Sequence, residues 1–387
     1  MELTNTKNAF EYKSDKELKK ALRLFKLVKN KHVSDFFAGL TLIAMKFRIP
    51  VAWLIKPIMF DHFCGGENSE EAIETANNLW KYNVSSILDF AVEGQVDGKI
   101  VEQTIEEIKN TISLASKTDS LTFAAFKPTA LASHEKLHHL ATSPNLTEKE
   151  KAEKEKYEER FFSICEFAAQ NEVKLLVDAE EFVYQFYVDE LVEKAMKKLN
   201  KNKPLIYTTL QMYRHDRLDY LEGLIEDARQ NNYYLGVKFV RGAYLEKERI
   251  LAFKENRQSP IYETKQGNDD AFDKGVEMVF ENIDICGIFV GTHNEDSVIK
   301  SINLAKKYNV DKNDDRFFVS QLYGMSDHIS FNVAKEGYNV AKYLPYGPVK
   351  VAIPYLLRRA QENSAMAGQT GRELKFVKLE WERRKNN

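Results

Sequence analysis

Tyr338-Asn-Val-Ala-Lys-Tyr343, followed by Leu344-Pro-Tyr-Gly-Pro348 and then Pro354-Tyr-Leu-Leu-Arg-Arg-Ala-Gln-Glu-Asn363, decides how this chain is read. A strand-like run hands over through a Gly/Pro turn to a helix whose Arg358, Arg359 and Glu362 fall within one turn. Two adjacent guanidinium groups form a permanently charged, fork-shaped set of donors for a carboxylate or phosphate. Arg358 and Glu362 are four apart and share a face, so the acid can hold the base in one pose. In isolation that pattern is usually a solvated surface ion pair. It explains neither Tyr343 nor Tyr355, whereas a strand, a tight loop and an anion clamp together are how the end of an α/β barrel builds a site.

Working outward, the same rhythm runs back along the chain. Short apolar, β-branched runs occupy Val84–Leu88, Leu121–Phe126, Val173–Val177, Leu205–Thr209, Leu235–Val240, Ile285–Val290, Phe317–Ser320 and Tyr338–Tyr343. Helical patterns lie between them at Gln95–Ser116, Phe182–Leu199, Leu218–Gln230, Ala271–Glu281, Glu295–Tyr308 and Asp327–Lys335. Alternation of this kind predicts an α/β fold, a (β/α)8 barrel and not an open sheet. No G-x-G-x-x-G or G-x-x-x-x-G-K-[ST] follows the first strand, which leaves Rossmann and P-loop readings without support. The densely charged Lys149–Arg160 reads as a solvated helix inserted in the second unit.

Before Asn83 the pattern is helix after helix. Leu18, Ala21, Leu22, Phe25 and Val28 fall on one face of Lys16–Lys29, and Phe36–Phe47 and Trp53–Phe63 are apolar runs interrupted by Pro50 and Pro57. The expected organisation is an N-terminal helical arm, residues 1–82, and a barrel domain, residues 83–387.

With 387 residues the chain can hold one large barrel plus an extension. A formal net charge of -2 argues against nucleic acid as a partner. No apolar run reaches membrane-spanning length. The first residues lack a signal-peptide apolar region, and Glu11, Asp15 and Glu17 suit a transit peptide badly. Cys64, Cys165 and Cys286 are far apart and read as buried, reduced thiols, so a cytoplasmic location is expected.

At the C-terminal ends of the strands, where such barrels place their sites, stand Asp89, Lys127, Asp178 with Glu180 and Glu181, Gln211, Lys238 with Arg241, Thr292-His293-Asn294, Gln321 and Tyr343. Any one polar strand end is weak evidence, because turns and caps want the same residues, and His293-Asn294 ahead of a helix is on its own more often a cap. Together Lys127, Lys238, Arg241, Arg358 and Arg359, partly offset by Asp178 and Glu362, describe a cationic mouth. It suits an anionic ligand, or two: a small carboxylate and a phosphate-bearing cofactor.

His134-Glu-Lys-Leu-His138 fits the H-E-x-x-H zinc motif. It adjoins the most polar stretch of the chain, not an apolar helix that would shield a metal, so it reads as a chance match and no metal is assigned.

Several segments, in order, resemble the proline dehydrogenase family, chiefly its stand-alone enzymes of the eukaryotic kind. They are Phe63-Cys-Gly-Gly-Glu67, Ile87-Leu-Asp-Phe-Ala-Val-Glu93, Leu176-Val-Asp-Ala-Glu-Glu181, Gln211-Met-Tyr213, Lys238-Phe-Val-Arg-Gly-Ala-Tyr-Leu245, Gly291-Thr-His-Asn294, Gln321-Leu-Tyr-Gly-Met325 and Tyr343 to Asn363. The resemblance implies a distorted, TIM-like (β/α)8 barrel holding FAD, and oxidation of L-proline to Δ1-pyrroline-5-carboxylate with electrons passed to membrane quinone. It implies that Arg358, Arg359 and Lys127 hold the substrate carboxylate, with Asp178 and Glu362 fixing those bases. Tyr244, Leu322, Tyr343 and Tyr355 would wall the ring. Ala179, Gln211, Arg241, Gly242, Ala243, Thr292, His293 and Asn294 would contact FAD. Lys238 stands where many bacterial members carry arginine beside flavin N5; with Asp178 it is the expected catalytic pair. Relatives preferring hydroxyproline carry a smaller residue at the position of Tyr343, so proline is expected over 4-hydroxyproline. Quinone use implies peripheral contact with the inner face of a membrane; residues 16–63 are candidate contributors, though an arm that only packs on the barrel accounts for them better.

Without the resemblance two other readings stand open. One is a barrel aldolase forming a Schiff base on Lys127 or Lys238. The other is a non-catalytic barrel that binds an amino acid through Arg358 and Arg359.

Overall fold

Eight short apolar runs become parallel strands because each is buried along most of its length and is followed by enough chain for a helical return. They are β1 Val84–Phe90, β2 Leu121–Phe126, β3 Lys174–Val177, β4 Ile206–Gln211, β5 Leu235–Val240, β6 Cys286–Gly291, β7 Phe317–Leu322 and β8 Val340–Tyr346. In the computed structural model, which describes residues 1–28, 55–90, 98–353, 355–357 and 369–386, they close into a barrel in sequence order. The expected (β/α)8 architecture is therefore the observed one. β1 pairs with β8 from Val84 opposite Val340 to Phe90 opposite Tyr346, and Lys238 of β5 sits opposite Thr209 of β4 and Phe289 of β6.

The chain divides into two compact units, Gly94–Ser320 and Met1–Glu93 with Gln321–Asn387. The line drawn at Asn83 falls inside the second of these.

In Gly94–Ser320 the helices are α4 Gly98–Ala115, α5 His134–Thr142, α6 Glu148–Gln170, α7 Phe182–Leu199, α8 Arg217–Gln230, α9 Leu245–Lys254, α10 Lys265–Glu281 and α11 Glu295–Lys307. The charged run at 149–160 is not an insertion but the first half of α6, the helix that precedes β3. Its second half buries Phe161, Ile164, Cys165 and Ala168 at helical spacing, and Thr147 and Glu150 close a capping box at its start. Helix α9 is not marked by apolar spacing, because charged residues lie on most of its faces. Phe123 meets Tyr207, Phe289 and Phe318 edge-on at centroid distances of 5.5, 5.1 and 4.9 Å, filling one layer among the strands.

In the other unit, α1 Thr6–Phe10 and α2 Asp15–Val28 pack on the C-terminal helix. That helix is Gln369–Lys385, numbered α13 after α3 Ser69–Trp80 and α12 Asp327–Lys335. Ala9, Phe10, Leu18, Ala21 and Phe25 bury against Leu374, Phe376 and Val377. Each large side chain so buried contributes about 1.5–3 kcal/mol. A second cluster gathers Leu24, Phe60, Phe63, Met325, Ile353, Tyr355 and Leu356. Phe36–Phe47 lies outside the described residues.

Candidate active site

Within Gly94–Ser320, the strand ends carry a connected set of polar groups. Lys238 sits inside β5, two residues before its end, with 7% of its side chain exposed; its ammonium donates to Asp178 Oδ1 at 2.7 Å. Asp178 directly follows β3, tied by its N–H to the carbonyl of Phe126 at 3.0 Å. Lys127 directly follows β2 and precedes the single turn Pro128–Ala130.

Gln211 ends β4 and is buried. Its amide nitrogen donates to the carbonyls of Glu180 at 3.0 Å and Ala179 at 3.4 Å, whereas its Oε1 is buried and has no hydrogen-bond partner among the described residues. A buried carbonyl oxygen left so costs free energy, which makes it a marker for a missing donor.

Arg241 lies one residue beyond β5. Its Nε donates to Asp269 at 2.6 Å, one terminal nitrogen to Thr292 Oγ1 at 2.7 Å and the other to Ser297 Oγ at 2.9 Å, with the guanidinium 4.3 Å from the Phe272 ring centroid. Burial works to raise the Asp269 carboxyl, but hydrogen bonds from Lys265 and Arg241 hold it below the usual range. Asp269, on a helix remote in sequence, is thus a further acid that meets the charge of Arg241, beside the two expected from the sequence. Gly242 has φ +119°, and a Cβ there would lie 2.6 Å from the Tyr213 ring, so only glycine lets the backbone pass. Ala243 is exposed, and Tyr244, half-buried, is the N-cap residue of α9.

Thr292 Oγ1 also accepts from the backbone N–H of Asn294 at 3.1 Å. Asn294 spends its own Oδ1 on α11, accepting from the N–H groups of Asp296 and Ser297 at 2.9 and 3.3 Å. His293 stands half-buried between them.

Two acids read as facing the site do something else. Glu180 is buried and accepts from the Thr129 N–H at 2.8 Å and hydroxyl at 2.7 Å; burial pushes its carboxyl up despite those bonds. Glu181 meets His134 Nδ1 at 2.8 Å and accepts from Lys247 at 2.6 Å. Burial works against its ionisation, yet those two partners take it down to about 2.

Within the other unit, Leu322 ends β7 and packs partly buried on the cluster that holds Tyr355. Tyr343 is 8% exposed in β8, and its carbonyl accepts from the Tyr323 N–H at 2.8 Å. Gln321 accepts from Ser330 Oγ at 2.7 Å. Arg358, Arg359 and Glu362 lie outside the described residues.

Reading strand ends alone missed Asp269, Glu248 and Lys342. Glu248 is a buried acid of α9 whose Oε1 accepts from the Phe182 N–H at 2.8 Å. Lys342 had a visible signal, a lone lysine inside an apolar strand.

A model of the family described as proline dehydrogenase matches residues 72–372. The carbapenem antibiotics biosynthesis protein CarD of Pectobacterium carotovorum subsp. carotovorum is 34% identical, over 83% of this chain and 83% of its own. Proline dehydrogenase 2, mitochondrial, of Arabidopsis thaliana is 29% identical over 86% of this chain and 79% of its own. Among solved structures, proline utilization A from Bdellovibrio bacteriovorus superposes with a TM-score of 0.71 at 19% identity, covering 93% of this chain. This chain spans 38% of the length of that larger protein, and at such identity the likeness speaks for the fold.

Proposed function

This chain belongs to the proline dehydrogenase family, flavin-dependent oxidoreductases acting on proline, and we propose that it takes L-proline to Δ1-pyrroline-5-carboxylate with FAD as resident cofactor and quinone as electron acceptor. Membership displaces the aldolase and binding-barrel readings. The reaction removes a hydride from the ring carbon beside nitrogen and a proton from that nitrogen, leaving a C=N bond.

The observation that carries the cofactor assignment is Gln211. Among the described residues its buried Oε1 has no donor, and a flavin ring N–H is chemically suited to supply one; Gly242 keeps side-chain bulk off the neighbouring backbone. Ala179, Gln211, Arg241, Gly242, Ala243, Thr292, His293 and Asn294 would hold the cofactor. When bound, FAD supplies the hydride acceptor that no side chain provides.

The chain's own residues bind, orient and exclude water. Lys127, Arg358 and Arg359 hold the substrate carboxylate, Glu362 steadies the arginines, and Tyr244, Leu322, Tyr343 and Tyr355 wall the ring. Lys238, fixed by Asp178, places a point charge beside the reacting face; it lacks the forked geometry of arginine. The phenol of Tyr343 takes the space a 4-hydroxyl would need, so proline is preferred to 4-hydroxyproline. The division into an arm at 1–82 and a catalytic barrel at 83–387, a cytoplasmic location and peripheral membrane contact belong to the same proposal. Among the described residues no helix is long and apolar enough to cross a membrane.

The test is an absorption spectrum of the purified protein, followed by anaerobic addition of L-proline. Flavin bands that bleach on addition are expected. A protein that stays colourless after reconstitution with FAD would overturn the assignment.

A further inference from the structure

Next to Tyr343 on β8, pointing to the other side of the strand, stands a lysine that solvent does not reach. The Lys342 side chain is 0% exposed. Its ammonium donates to the Met325 carbonyl at 2.5 Å and the Leu322 carbonyl at 3.4 Å, and lies 2.9 Å from Asp327 Oδ1. The buried Asp327 turns its other oxygen outward along the chain of contacts. That oxygen accepts from the Tyr12 hydroxyl at 2.7 Å and lies 3.6 Å from the ammonium of Lys13, itself 8% exposed. One carboxylate thus stands between two buried ammonium groups, one beside Tyr343 and one on the N-terminal segment.

The loop from Leu322 to Ser326 has little other freedom. Tyr323 donates to the carbonyl of Tyr343, the Gly324 carbonyl meets His62 Nε2 at 2.8 Å, and the Ser326 N–H donates to Glu373 at 2.6 Å. Gly324 has φ +77°, and a Cβ there would lie 2.2 Å from the carbonyl oxygen of His62. The carbonyls of Met325 and Leu322 both accept from Lys342, and that of Leu322 also accepts from the Met325 N–H at 3.2 Å. A neutral side chain of the same length would take one donor from each of those carbonyls and the nearest positive charge from Asp327, in a site closed to water.

We propose that Lys342 is a positioning residue for substrate selection. It sets the backbone of Leu322 on β7 and, as the neighbour of Tyr343 on β8, the spacing of both ring walls. Through Asp327 the setting is shared with Tyr12 and Lys13, so the N-terminal segment acts on selectivity and does not only pack. This rests on the reading that Leu322 and Tyr343 wall the substrate ring.

The experiment compares Lys342→Met, Lys13→Met, Tyr12→Phe, Tyr343→Ala and Leu322→Ala in the flavin-loaded full chain. It measures kcat and KM for L-proline, the ratio of kcat/KM for proline to that for 4-hydroxyproline, and Tm. Lys342→Met is expected to raise KM about tenfold with kcat changed less than about threefold, and to compress the ratio about fivefold or more. Tyr12→Phe and Lys13→Met are expected to move KM and ratio the same way by about two- to threefold. A lower Tm with KM and ratio unchanged would mean a purely structural lysine and overturn the proposal. Should Lys342→Met fail to fold, unchanged KM and ratio in both Tyr12→Phe and Lys13→Met overturn it equally. If Tyr343→Ala and Leu322→Ala leave KM and ratio unmoved, the wall reading fails first. If they respond and the positioning variants do not, only the positioning role falls.

Discussion

The ammonium of Lys238 reaches from within β5 to the carboxylate of Asp178 beyond β3, 2.7 Å away, and only 7% and 16% of the two side chains are exposed. Neither charge has much water to fall back on, so each depends on the other. Asp178→Asn keeps the shape and removes the compensating charge. It should cost on the order of 3 kcal/mol, as breaking a buried pair does. Replacing Lys238 with methionine in the same protein should recover most of that loss. Chemical denaturation of the two single variants and the double variant measures the coupling. A single Asp178→Asn within about 0.5 kcal/mol of the parent would show that the pair is solvated and not interdependent.

His134 gives stability a pH dependence whose sign is fixed by its partner. The hydrogen bond to Glu181 raises the imidazole above its ordinary value, against the opposing effect of burial. A raised value means the contribution is fully present below the unfolded value of about 6.5 and is lost as pH rises through the folded one. The ring is 41% exposed, so solvent screening keeps the effect below about 1 kcal/mol. Tm of the parent minus that of His134→Gln should therefore be larger at pH 6 than at pH 8. Glu181 acts oppositely: its contribution is present above the unfolded carboxylate value and fades as pH falls toward about 2. A Tm difference that grows from pH 6 to pH 8 would contradict the pairing.

Two glycines offer a paired test of backbone reasoning. Gly242→Ala would force φ +119° on a residue with a Cβ and drive that Cβ into the Tyr213 ring. A loss of about 2 kcal/mol or more is expected, with weakened flavin retention. At Gly223, in the exposed face of α8, an added Cβ meets nothing within 4 Å. Gly223→Ala should stabilise the protein by about 0.5–1 kcal/mol through helix propensity. Calorimetry on both variants decides; equal effects would mean that the loop at Gly242 adapts.

The barrel was legible because burial leaves a period in the sequence. Strands covered on both faces read as apolar runs, and β2 and β5 fall on the expected residues. What the sequence does not write is which distant charges meet. Asp269 is 28 residues from Arg241, and Lys13 is 314 residues from Asp327; no local pattern links either pair. Helix α9 escaped for a related reason, since its one buried acid, Glu248, looks like its solvated neighbours until the Phe182 N–H is seen to meet it. The run at 149–160 misled because charge density marked solvation correctly, while the apolar half of the same helix began only at Tyr157 and Phe161.

The H-E-x-x-H match leads to a last prediction, about metal. A zinc site of that type needs both imidazoles and a third ligand converging on one ion at about 2.0–2.2 Å. On α5, His134 instead turns Nδ1 to within 2.8 Å of both Glu181 and the hydroxyl of Tyr184, while His138 is exposed one turn later. His139 and not His138 engages the next helix, meeting Glu150 at 2.8 Å. Among the described residues no group of three His, Cys, Asp or Glu side chains is placed to hold a metal ion. Prolonged dialysis against a chelator should leave Tm and activity unchanged, and His138→Ala should behave as the parent does. Stoichiometric zinc by elemental analysis, lost together with Tm on chelation, would mean that the helix carries a metal centre after all.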